Sequence, residues 1–284
     1  MWAIEAACVA ILALYAWIHR RADGWLRDVA LLALAGWIGE ETCILAYGFY
    51  QYAPHWHARV GEVPMLIAAI WPAIVMSARA IARALLRDRG TPARLALVTG
   101  ALVVFDAALI EPIATRDGLW TWNEPGLFTV PVIGILGWGF FAAAATFTLE
   151  RFSGWRRLAV LATAPLATHA LLLATWWGLF RWILRAEFHP AFGIAAVALS
   201  AGLFLARARR TGAALSPPAE LIARGVATLF FAVLLARRAD AWLVTYALAF
   251  TPPHLVLCLN AWRSLRGAEG SAPAACAPAA IARR

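Results

Sequence analysis

The sequence predicts an all-α, polytopic helical membrane protein of about nine transmembrane helices, built around a helix-loop-helix unit duplicated in parallel. Three observations carry this. Hydrophobic residues make up 63% of the 284 and charged residues only 14%, against roughly 45–50% and about 25% in soluble domains. The apolar residues form continuous Ala- and Leu-rich runs close to the roughly 20 residues that cross a bilayer as helix, without the alternation of a barrel strand. All 25 basic residues are Arg, and they gather between those runs.

Nine segments qualify, near residues 2–18, 27–47, 63–81, 95–115, 127–149, 157–180, 187–206, 218–236 and 241–262. The first carries Glu5 and is followed by Arg20 and Arg21, so it reads as a retained span rather than a cleaved leader. The eighth includes Arg224 near one end. Counted over alternate connections, Arg divides eighteen to six, with Arg224 left inside a span. The positive-inside rule then places the N-terminus outside and the C-terminus in the cytoplasm, a parity that nine spans satisfy, and a bacterial inner membrane is the expected location. The net charge of +9 is assigned to topology and anionic head groups rather than to nucleic acid. Cys8, Cys43, Cys258 and Cys276 form no CxxC pair, so neither a zinc site nor a disulfide framework is indicated. Residues 1–266 are expected to form one transmembrane domain, and the Ala-, Pro- and Gly-rich stretch 267–284 a disordered tail.

Two stretches share one pattern: a Glu, a Gly, two aromatics at alternate positions, Val-Pro and a Trp. The first is Glu41, Gly48, Tyr50, Tyr52, Val63, Pro64 and Trp71; the second is Glu111, Gly118, Trp120, Trp122, Val130, Pro131 and Trp138. From Glu to the second aromatic the offset is 70 at every position, and from Val-Pro to Trp it is 67. The repeated units cover about residues 36–80 and 106–150. An even number of spans separates them, so they share an orientation and are related by a pseudo-twofold axis along the membrane normal. Glu41 and Glu111 are thereby expected to face one cavity.

A charged side chain at the centre of a membrane helix costs about 2.5–3.5 kcal/mol even on a lenient scale, so intramembrane acids are functional candidates by default. Glu40, Glu41, Glu62, Asp106 and Glu111 lie in or near the two units. No basic residue in the same spans is placed to pair with Glu41 or Asp106. A carboxyl in an apolar cavity with no cation opposite it is a candidate proton donor, and Glu41, Glu111 and Asp106 are the candidate catalytic residues. Asp106 precedes Glu111 by five residues, about 140° around an ideal helix, so the two share a face only if the helix distorts near Pro112.

Trp37, Tyr47, Tyr50, Tyr52, Trp71, Trp120, Trp122 and Trp138 surround these acids and are the candidate substrate-binding residues. Trp37 lies one turn before Glu41 on the same helical face. Trp56 and Phe128 fit the interfacial aromatic belt. Aromatic faces stabilise a desolvated cation by roughly 0.5–2 kcal/mol each, so an acid among them suits protonation of an alkene and shelter of a carbocation. His55 and His57 lack the further ligands a metal site needs, and no metal is expected. His169 fits a helix-packing role. No phosphate loop or nucleophile elbow is present.

The run from Glu41 through Gly48-Phe49-Tyr50-Gln51-Tyr52 and Val63-Pro64, then Asp106, Glu111-Pro112-Ile113-Ala114 and Gly118-Leu119-Trp120-Thr121-Trp122, resembles the carotenoid-biosynthesis membrane proteins of the carotenoid 1,2-hydratase and bisanhydrobacterioruberin hydratase type. The resemblance spans roughly residues 36–141. It implies an integral membrane enzyme that adds water across the terminal double bond of an acyclic carotenoid, with no cofactor. A carotenoid or terpenoid cyclase would need the same acid and cavity but would quench the cation by ring closure and proton loss. A proton-coupled carrier of an apolar substrate is a third reading, since parallel repeats with midplane acids also occur in transporters. In each case the partners are an apolar isoprenoid and the bilayer; the sequence is silent on oligomeric state.

Overall fold

The computed structural model describes residues 1–87, 89–183, 188–211, 217–238, 240–256, 258, 259 and 262; the expected tail at 267–284 lies outside them. The chain is an all-α membrane protein, 79% helical. Its helices are α1 (Trp2–His19), α2 (Trp25–Tyr47), α3 (Met65–Leu86), α4 (Pro92–Arg116), α5 (Val132–Arg151), α6 (Val160–Thr175), α7 (Arg181–Ile183), α8 (Pro190–Thr211), α9 (Pro218–Arg237) and α10 (Ala241–Leu248). A 3₁₀ turn before α6 and a π turn after it join α6 and α7 into one rod, Gly154–Ile183. Among the described residues, seven helices are long and apolar enough to cross a membrane: α1 to α5, this rod, and α9.

Among the described residues, the seventh and ninth expected segments are helical without an unbroken apolar helix of full spanning length. The apolar part of α8 is Pro190–Ala206. After α10 the helix breaks at 249–250 and resumes at 251. Thr251-Pro252-Pro253 explains the break: two successive residues without an N–H cannot continue a helix but sit well in the first turn of a new one.

Short strands join the helices, which the all-α reading did not anticipate. They are β1 (Tyr50–Tyr52), β2 (Arg59–Val60), β3 (Val63–Pro64) and β4 (Trp120–Trp122). β2 and β3 form a hairpin in which Val60 faces Val63, and the bridge Leu127 to Val130 repeats it in the second unit at the same offset of 67. β1 and β4 pair antiparallel, Tyr50 opposite Trp122, Gln51 opposite Thr121 and Tyr52 opposite Trp120. This is the pairing a twofold axis between Gln51 and Thr121 generates. Matched features flank it. Gly48 (φ 58°) and Gly118 (φ 77°) each turn the chain out of a helix in the left-handed conformation that glycine adopts without strain. Pro64 and Pro131 each cap the helix that follows.

One apolar core gathers Leu32, Ala35, Trp71, Val75, Val103, Phe141, Ala145, Leu149 and Ala164, so α2 to α6 pack as one bundle around the two units. At the end where α2 begins and α3 and α5 finish, Asp28 accepts two bonds from Arg157 Nη1 at 2.8 and 3.0 Å, and Glu150 accepts from Arg83 at 2.5 Å. At the other end, Glu5 of α1 accepts from the His57 backbone N–H at 2.9 Å and meets its imidazole Nδ1 at 2.6 Å. His57 is thus engaged by α1.

Candidate active site

Each unit holds one carboxyl in the same clasp. Glu111, near the end of α4, is 2% exposed. It accepts from the indole N–H groups of Trp120 (2.8 Å), Trp122 (2.9 Å) and Trp138 (2.8 Å). In the first unit the acid so held is Glu40. It accepts from the hydroxyls of Tyr50 and Tyr52, the latter at 2.8 Å, and from Trp71 Nε1 at 3.1 Å. The alternate aromatics of β1 and β4 supply two donors each because side chains at i and i+2 leave a strand on one face. The third donor comes from the helix after Val-Pro. Burial first, and then the neighbouring Glu40 carboxyl, hold both tyrosine phenols well above their usual range, so they stay protonated as donors.

A cavity of about 240 Å³ lies between the clasps, lined by Glu40, Glu111, Asp106, Tyr50, Tyr52, Trp71, Trp120, Trp122 and Trp138 together with apolar side chains of α1, α3, α4 and α9. Six of the eight expected aromatics are therefore on its wall. Trp37 and Tyr47 are not. Trp37 donates to Val60 O at 3.0 Å, and the Tyr47 hydroxyl meets His169 Nδ1 at 2.8 Å. His169 also meets the Thr42 hydroxyl at 2.7 Å, which gives it the packing role expected of it. Trp56 is no belt residue: it is buried, donates to Leu119 O at 3.1 Å and lines the cavity.

Glu41 stands outside the cavity. It shares a face with Trp37, as one turn of helix dictates, but that face meets the β2–β3 hairpin, where Glu41 accepts from Glu62 N at 2.8 Å. Glu40, rotated by about 100°, points inward in its place. Asp106 does reach the cavity alongside Glu111, and α4 contains Pro112 between the cavity residues and its C-terminus. Pro112 has no N–H for the Ala108 carbonyl, which accepts instead from the Tyr246 hydroxyl of α10 at 2.8 Å. Asp106 has no partner within the two units, as expected, but it is paired from another span: Arg224 of α9 donates to it at 2.7 Å. Sequence reasoning counted Glu40 among the intramembrane acids but not among the catalytic candidates, and of the polar cavity residues it missed Ser77 and Arg224. A buried Arg inside a span demands an acid on another helix, and that demand was the available signal for the second.

Gly134 lies where any side chain would strike the clasp: a Cβ there would come within 2.5 Å of the Trp122 ring. Gly134→Ala is expected to push that ring off Glu111 and leave the carboxyl short of a donor. The destabilisation should be about 1–3 kcal/mol, read as a lower unfolding midpoint in detergent.

Searches of curated proteins and of solved structures return no match. A family model described as carotenoid biosynthesis protein matches residues 2–206, from α1 through both clasps to α8. The match stops before α9, which supplies Arg224. With both clasped acids, the paired strands β1 and β4 and every clasping aromatic inside the matched residues, the chain belongs to the carotenoid biosynthesis protein family.

Proposed function

We propose that the cavity is the active site of a carotenoid hydratase, which protonates the terminal double bond of an acyclic carotenoid and adds water to it. The observation that carries this reading is the pair of clasped carboxyls on one aromatic, apolar cavity. A carboxyl O–H of Glu111 or Glu40 breaks as its proton joins the less substituted alkene carbon. The π electrons form that C–H bond and leave a tertiary cation. Aromatic rings stabilise such a cation by roughly 0.5–2 kcal/mol each. A water oxygen then forms the C–O bond and gives up a proton to a carboxylate, so alkene and water become a tertiary alcohol. The three donors of each clasp fix the carboxyl in place before substrate arrives, the preorganisation that makes an acid effective. Pockets for whole drug-sized ligands run to about 300–1,000 Å³, so a cavity of about 240 Å³ suits one end of a long isoprenoid, with the rest lying among the helices or in lipid.

The Arg asymmetry supports an orientation with the N-terminus outside, which puts the strands and clasps toward the outer side of the membrane. The test is expression in a lycopene-producing bacterium with mass analysis of the pigments. A gain of 18 Da, the mass of one water, is the expected result. Unchanged mass with a shifted spectrum would replace hydration by cyclisation. Unchanged pigment, together with uptake into liposomes that depends on a pH gradient, would replace the enzyme by a carrier.

A further inference from the structure

The cavity has a second polar wall, of a different kind from the clasps. Arg224 Nη1 donates to Asp106 Oδ1 at 2.7 Å, and Arg224 Nε donates to Ser77 Oγ at 2.9 Å. The three side chains come from α9, α4 and α3, and all three line the cavity. These two bonds use two of the five guanidinium N–H groups, and the Ser77 hydroxyl, having accepted one bond, keeps its own proton to donate. Asp106 keeps Oδ2 outside the Arg224 contact. The wall therefore offers donors and an acceptor with formal charges that cancel, the requirement for holding a small neutral oxygen without repelling a nearby cation. The clasped acids differ: each already receives three donors from its own aromatics.

Spacing along α4 relates the two walls. Asp106 and Glu111 are five residues apart, about 7.5 Å of helix rise. Reacting atoms approach to about 3–3.5 Å before bond formation. Both walls line the one cavity, so an alkene held between them has a clasped acid on one side and this polar wall on the other.

We propose that Ser77, Arg224 and Asp106 hold the water that attacks the cation; this rests on the hydratase reading and adds the water site to it. The water oxygen accepts from Arg224 and from Ser77 while one of its O–H groups points to Asp106 Oδ2. When its lone pair forms the C–O bond, that O–H breaks and Asp106 takes the proton. A cation formed without this water would lose a proton to a carboxylate instead, giving an alkene isomer of unchanged mass.

The test follows product partition in lycopene-producing cells supplied with H₂¹⁸O. It compares the wild type with Ser77→Ala and with the charge-balanced pair Arg224→Gln and Asp106→Asn. The expected result is that the fraction of consumed lycopene recovered as ¹⁸O-labelled alcohol falls, by about tenfold in the double variant, while isomers of unchanged mass accumulate, whatever the overall rate. Alcohol falling only in proportion to consumption, or keeping its share, would overturn the water site while leaving hydration standing. A wild type that forms no labelled alcohol would overturn both.

Discussion

Glu111→Gln and Glu40→Gln are each expected to lower pigment conversion by about 10²- to 10⁴-fold, the range supplied by a positioned general acid or base. Glutamine keeps the shape of the side chain and an oxygen for the clasp to donate to, but it has no proton to transfer and cannot take one up. Glu41→Gln, one residue from Glu40, should stay within about twofold of wild type, because its carboxylate accepts from the Glu62 backbone on the hairpin side, outside the cavity. The comparison is made on membranes with equal amounts of folded protein. Full activity in both the Glu40 and Glu111 variants would remove the carboxyls from the chemistry. A large loss at Glu41 with none at Glu40 would return the role to the acid that sequence spacing selects.

The second large effect is on stability. Arg224→Met is expected to destabilise the protein by about 3–5 kcal/mol, because it strands Asp106 as a buried charge without its partner. The pair is largely enclosed, with side-chain exposures of 18% and 14%, so solvent cannot take over the role of the lost cation. A fall of roughly ten degrees or more in the unfolding midpoint in detergent should follow. Adding Asp106→Asn to the same chain should restore most of it, since the stranded charge is then gone. A midpoint unmoved by Arg224→Met would mean that the pair is not a structural tie between α4 and α9.

What the sequence made legible was periodic or local. Long apolar runs placed the spans, and the paired offsets of 70 and 67 found both units, down to the capping prolines and the left-handed glycines. The acid of the first unit was misplaced by one residue. Glu40 precedes Tyr50 by ten residues, whereas Glu111 precedes Trp120 by nine. One more residue lies between the acid and the left-handed glycine in the first unit than in the second. Matching at constant spacing selects Glu41, but one residue turns a helix by about 100°, enough to swap the inward and outward faces. Arg224 was hidden for another reason: its partners, Asp106 and Ser77, are 118 and 147 residues away, and no local pattern reports a contact between helices so far apart. The aromatics of the ribbon were legible because a strand presents alternate residues on one face. Trp37 and Tyr47 had the right composition and the wrong face.

The ribbon that joins Tyr50–Tyr52 to Trp120–Trp122 also bears on why the two units share one chain. Among the described residues each strand is paired on one edge, and its twin supplies that pairing. A single unit on its own would present that edge bare and aggregation-prone, with one clasped acid in place of two. Held in one chain, the two halves close the ribbon at any protein concentration, which separate halves meeting as a dimer would not.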